Sequence, residues 1–107
     1  MHRLFSEKLV TIITSDVLEE LLVASVRKRG ASGYTLLRAR GAGSEGLQTG
    51  VLWVDSNLLM KVILPPERLS GLLDDLDALI AKGHHLTVFV ADVGVLGHEK
   101  FERPLKS

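Results

Sequence analysis

Residues 8–40 read KLVTIITSDVLEELLVASVRKRGASGYTLLRAR, and three changes of pattern within them decide the fold. Lys8 to Thr14 is a short run of β-branched and apolar residues, the composition of a strand. Asp16 then precedes Glu19 by three residues, the spacing of a capping box, and Leu18, Leu21, Leu22, Ser25 and Val26 recur at helical intervals. Arg27, Lys28 and Arg29 suit the negative end of that helix's dipole, and Gly30 is a natural stop. Gly33 to Arg40 (GYTLLRAR) forms a second strand, closed by the Gly41-Ala42-Gly43 turn.

The second half repeats this order. Ser44 to Gly50 (SEGLQTG) is glycine-rich and polar and reads as a mobile loop; Val51 to Val54 resumes an extended pattern, which Asp55, Ser56 and Asn57 interrupt. Leu58 to Leu64 is a third strand, stopped by Pro65 and Pro66, and a proline suits the first position of the helix that follows. Leu69, Leu72, Leu73, Leu76, Leu79 and Ile80 form its apolar stripe, with Asp74, Asp75 and Asp77 expected on the solvated side. Lys82 and Gly83 end it as Arg29 and Gly30 end the first, and Leu86 to Val93 is the fourth strand. Two such βαβ halves predict one α+β domain over residues 1–107, a ferredoxin-like βαββαβ sandwich. Its single antiparallel sheet carries both helices on one face. Tyr34 and Leu36 alternate with Thr35 and Leu37, so both sides of the second strand are apolar. The uncovered face is therefore expected to be buried in a homo-oligomer.

Composition narrows the function. Hydrophobic residues make up 46% of the chain, enough for a core, and thirteen Lys and Arg balance thirteen Asp and Glu. That zero net charge argues against a nucleic-acid module. The absence of cysteine excludes disulfides, thiolate zinc sites and cysteine nucleophiles. No apolar run is long enough for a membrane span, and Met1 to Glu7 does not read as a secretion signal, so a cytoplasmic address is expected. No nucleophile with a neighbouring base and no Walker-type phosphate loop is visible, which favours a regulator over an enzyme.

The run Gly33–Gly43 (GYTLLRARGAG) resembles the nucleotide-site strand of the PII superfamily of signalling proteins. There, a Thr near the strand start is followed six positions later by a Gly-x-Gly turn, and Thr35, Gly41 and Gly43 fill those positions. The segment Asp92–Phe101 (DVGVLGHEKF) likewise resembles the family's fourth-strand exit. The resemblance implies a homotrimer that binds an adenine nucleotide between subunits. It also implies a T-loop-like arm at about residues 44–56 and a C-terminal tail, 94–107, that folds toward the ligand. The partner implied is a membrane transporter or a metabolic enzyme of carbon or nitrogen metabolism.

The chain departs from the nitrogen-regulatory members in two places. Only Gly83, His84 and His85 stand where their glycine- and lysine-rich B-loop wraps the phosphates, and the arm has no tyrosine to modify. It is thus similar to the non-classical PII-like groups associated with carboxysomes and bicarbonate transporters. That resemblance implies a sensor of ADP or AMP first, with ATP and cyclic AMP as the alternative nucleotides, and in some cases of bicarbonate.

Nucleotide contacts are expected from Thr35, Leu36, Arg38, Arg40, Gly41, Gly43, Leu64, Gly83, His84, His85, Lys100 and Arg103. Glycines at 41 and 43 let backbone N–H groups approach an anion closely, so Arg40, Gly41, Ala42 and Gly43 are the candidate phosphate or bicarbonate cradle. Arg38 and Arg40 share a strand face, and guanidinium forks suit such anions, although pairing with a neighbouring chain's acids would also satisfy them. Thr35 suits an adenine edge or simply a strand; Leu64 suits the adenine pocket or the core. Lys100 and Arg103 are cations on a tail of a kind that is otherwise often disordered. Ser44, Glu45, Gly46, Leu47, Gln48, Thr49, Gly50 and Trp53 form the candidate partner-binding arm, with core or interface packing the alternative for Trp53.

No metal site is expected, because adjacent His84 and His85 on extended backbone point to opposite sides. The competing readings are a CutA-like trimer that binds divalent metal, which would need a histidine or cysteine set on the sheet, and an interaction module without a small ligand.

Overall fold

A computed structural model describes residues 2–39, 57–97 and 99–105. Strand β1 (Phe5–Ser15) runs beyond its apolar stretch because the flanking polar residues also pair. Ser6 and Glu7 lie opposite Gly94 and Val93 of β4 (Thr87–Val95), and Ser15 lies opposite Asn57 of β3 (Asn57–Leu64). Strand β2 (Thr35–Ala39) pairs with the other edge of β3. The sheet order is β2-β3-β1-β4 and every neighbouring pair is antiparallel. It follows that β1 is parallel to β2 with β3 between them, and β3 is parallel to β4 with β1 between them. Each parallel pair needs a crossover, and α1 (Glu19–Lys28) and α2 (Leu69–Ala81) supply the two. The result is the ferredoxin-like α+β sandwich that the two half-repeats predict.

Strand periodicity sends Val10, Ile12, Leu58, Met60, Val62 and Leu64 to one face. Leu18, Leu22 and Val26 of the first half and Leu72, Leu76 and Leu79 of the second close over them. Each such side chain contributes about 1.5–3 kcal/mol when fully buried, against about 1 kcal/mol or less for an exposed ion pair. The single core, not surface charge, therefore sets the architecture.

The helices differ from expectation in detail. Ser15, not Asp16, is the cap: its Oγ accepts from the Val17 N–H at 3.3 Å and opens a 3-10 turn, Asp16–Leu18, from which α1 continues. That turn leaves Leu21 outside, and Val23 packs on the core in its place. Ile80 of α2 also lies largely exposed. Asp75 is not solvated like the other stripe-flanking acids. It accepts two hydrogen bonds from Arg29, at 2.8 Å from Nε and 2.6 Å from Nη2, which tie the end of α1 to the middle of α2. Both glycine stops hold left-handed backbone, Gly30 at φ 82° and Gly83 at φ 100°, which only glycine adopts without strain.

Candidate ligand site

Four elements meet at one end of the sheet: the end of β1, the end of β2, the start of β3 and the turn from α2 into β4. Gly83 makes that turn possible. With its N–H on the Ile80 carbonyl at 3.0 Å and the His84 N–H on the Leu79 carbonyl at 3.1 Å, the helix closes within one residue of its last turn. The His85 carbonyl then accepts a 2.8 Å hydrogen bond from Oγ1 of buried Thr14, which pins the Gly83–His85 turn to β1.

Beside it Arg38 donates to Asp16 at 3.5 Å, a long and exposed pair of little energetic weight that leaves the guanidinium open to a better anion. Asp16, Glu19, Leu36, Leu37, Arg38 and Leu58 line a shallow groove of about 130 Å³ there. Ligand pockets commonly enclose ~300–1,000 Å³, so this groove alone does not enclose a nucleotide.

The remaining expected residues divide by face. Cross-strand partners share a face, which places Thr35 opposite Lys61, Lys61 opposite Thr11, and Thr11 opposite Phe89, in one row across the face without helices. Leu37, Leu59, Ile13 and Thr87 form the next row. Leu36 turns inward and packs against the core. Leu64 is fully buried on the helix side within the single chain, where its side chain is part of the core, one of the two roles expected for it. Its neighbour Ile63 occupies the open face instead, as does Lys61. Both follow from strand alternation, because they fall between the inward Leu64, Val62 and Met60, a signal present in the sequence.

Lys100 and Arg103 lie on the tail. After Val95 the chain forms a short helix, α3 (Glu99–Glu102), and the Leu105 N–H then bonds the Ala31 carbonyl at 2.7 Å. Arg68, just beyond β3, donates to the carbonyls of Gly30 and Glu102 at 2.9 and 3.0 Å. The tail is thus docked at the Leu64 end of β3. The Gly83–His85 turn sits at the other end, through Thr14 and its partner Leu58. Leu64 lies six positions along the strand from Leu58, about 20 Å. One chain therefore does not bring its two sets of candidate contacts together.

Arg40, Gly41, Ala42 and Gly43, the arm with Ser44 to Gly50 and Trp53, and His98 lie outside the described residues. Among the described residues no group of three or more His, Cys, Asp or Glu side chains converges in a way that could hold a metal ion. No helix among them is long and apolar enough to cross a membrane.

Residues 7–100 match the family described as Nitrogen regulatory protein P-II. Among solved structures, the chain is similar to CPII of Thiomonas intermedia bound to ADP and bicarbonate. The identity is 27%, the match covers 94% of this chain and 99% of that one, and the TM-score is 0.82. A second CPII structure from that organism, described as a nitrogen regulatory PII-like protein bound to ADP, AMP and bicarbonate, matches at 25% identity, covering 94% and 98%, with a TM-score of 0.80. A chain described as a PII-like signalling protein from Thermus thermophilus matches at 31% identity, covering 92% and 98%, with a TM-score of 0.76. No curated protein matches the chain.

Proposed function

The chain belongs to the nitrogen regulatory protein P-II family, and from that premise we propose that it is a signalling regulator. In this reading it is a homotrimer that binds an adenine nucleotide between subunits and performs no chemistry of its own. The observation that carries the reading is the division of its candidate contacts between two ends of one sheet, about 20 Å apart. A nucleotide that uses both sets must lie where the Gly83–His85 end of one copy meets the tail end of the next. The uncovered sheet face, with Leu37 56% and Phe89 52% exposed, supplies the apolar surface on which copies would associate.

ADP or AMP is the ligand the site favours. A three-residue turn offers few groups for a third phosphate, and the related Thiomonas chain is described with ADP, AMP and bicarbonate. Bicarbonate or a phosphate would then occupy the Arg40–Gly43 turn, where a second arginine adjoins two glycines. The arm over 44–56 carries the response to a transporter or enzyme partner. Nucleotide binding at its base changes the arm's affinity for that partner.

Thermal-shift measurement with ATP, ADP, AMP and cyclic AMP, each with and without bicarbonate, tests the reading. A ligand at 100 times its Kd adds about 2.7 kcal/mol to stability, a clear rise in melting temperature. A selective rise with ADP or AMP that bicarbonate enlarges is expected; no rise with any nucleotide rejects the reading.

A further inference from the structure

Arg68 occupies a position that the nucleotide reading does not use. It ends the 3-10 turn Pro66–Arg68 that links β3 to α2. Its Nη1 donates to the Gly30 carbonyl at 2.9 Å and its Nη2 to the Glu102 carbonyl at 3.0 Å. These acceptors belong to two separate parts of the chain. Gly30 is the left-handed stop of α1, and Glu102 is the last residue of α3 on the C-terminal tail. A hydrogen bond from a charged guanidinium to a carbonyl is stronger than one between neutral groups, so one cation facing both carbonyls ties the two parts together.

The contact is shaped for arginine. The guanidinium presents several N–H donors in a fixed plane, and two of them reach two acceptors at once, which a single ammonium on a flexible stem does poorly. Glycine at position 30 is required by its backbone, at φ 82°, and not by space, since a Cβ there would meet Arg68 at the ordinary contact distance of 3.5 Å. The bond from the Leu105 N–H to the carbonyl of buried Ala31 lies next to Gly30 and closes the same contact from the tail's side. Arg68 and the Leu105 N–H thus both supply polar contacts between the tail and the body.

We infer that Arg68 is a latch that positions the tail, and with it Lys100 and Arg103, for the ligand of a neighbouring subunit. The inference rests on the nucleotide reading for its ligand, but not for the latch itself. Arg68 touches no ligand in this scheme; it acts through the two tail cations. Release of one guanidinium would free a segment that carries both charges, so nucleotide occupancy and tail docking are coupled in both directions.

Two measurements on the full-length protein separate the parts of the inference. Hydrogen–deuterium exchange of the 99–105 segment, without nucleotide, reads the latch. Arg68→Ala should speed exchange there about tenfold while β1 and β3 keep their protection, with Arg68→Lys, the milder change, in between. Unchanged exchange at 99–105 in Arg68→Ala overturns the latch. Calorimetric titration with ADP reads its consequence. Arg68→Ala should weaken binding about tenfold in the wild-type background, but by less than about twofold in a Lys100→Ala/Arg103→Ala background. Equal losses in both backgrounds overturn action through the tail cations. If the wild-type protein itself binds no ADP, AMP or ATP, the nucleotide reading falls together with the ligand half of this inference, and faster exchange in Arg68→Ala still establishes the latch.

Discussion

Asp75 faces Arg29, Lys28 and Ser25 at the end of α1, and the first of these dominates. The two hydrogen bonds from Arg29 hold its carboxyl below the usual carboxylate range, outweighing partial burial, which pushes the other way. Arg29 in turn is held above its ordinary value, chiefly by the same bonds. For the carboxylate, the folded value is below the unfolded one, so unfolding in acid takes up a proton. Its contribution is complete above the ordinary carboxylate value of about 3.9 and is lost as pH falls through the lower folded value. Asp75→Asn should therefore lower the melting temperature by a few degrees at pH 7, and the gap to the wild type should narrow once the pH falls below about 3.9 and close in stronger acid, below the folded value. A gap that persists there would assign the loss to packing rather than charge.

This pair also marks what the sequence does not disclose. The partners stand 46 residues apart, and only the crossing of α1 over α2 brings them together. An acid beside an apolar stripe reads as solvated until the second helix is in place. Leu64 is the opposite case. Its inward direction follows from strand alternation alone, without knowledge of any partner distant in sequence.

The elements themselves were largely legible. Gly30 and Gly83 announce both helix ends, and the structure gives each the positive φ that a stop requires. At Gly83 a Cβ would meet nothing within 4 Å, so substitution there costs backbone strain alone. Gly83→Ala should lower stability by about 1 kcal/mol in urea unfolding, with the slope unchanged. A drop several times larger would mean that the Gly83–His85 turn carries packing beyond the Thr14 hydrogen bond. The C-terminal tail was less legible. Its charged composition suits a free end, and its docking depends on Arg68 and on the Ala31 carbonyl, both far away in sequence.

At the scale of the whole molecule, topology could be read because each half is a local pattern and the two halves repeat. The site could not be assembled in the same way, because its pieces sit at opposite ends of the sheet and its Arg40–Gly43 turn lies outside the described residues. In the proposed reading a second copy joins the pieces, and the open face is where copies would meet. Leu37 and Phe89 are the test residues. Both are more than half exposed in the single chain, so a carboxylate at either position stays solvated in the monomer and disturbs its core little. The same carboxylate buried in an interface would be desolvated without a partner, at a cost of several kcal/mol. Sedimentation should give a trimer for the wild type and a folded monomer for the doubly substituted Leu37→Asp/Phe89→Asp protein. That monomer should also lose its thermal response to ADP, since each of its copies offers only one end of the site at a time. A trimer that survives both carboxylates would move the interface off this face. A monomer that still binds ADP with wild-type affinity would place the ligand within one chain and remove the shared site.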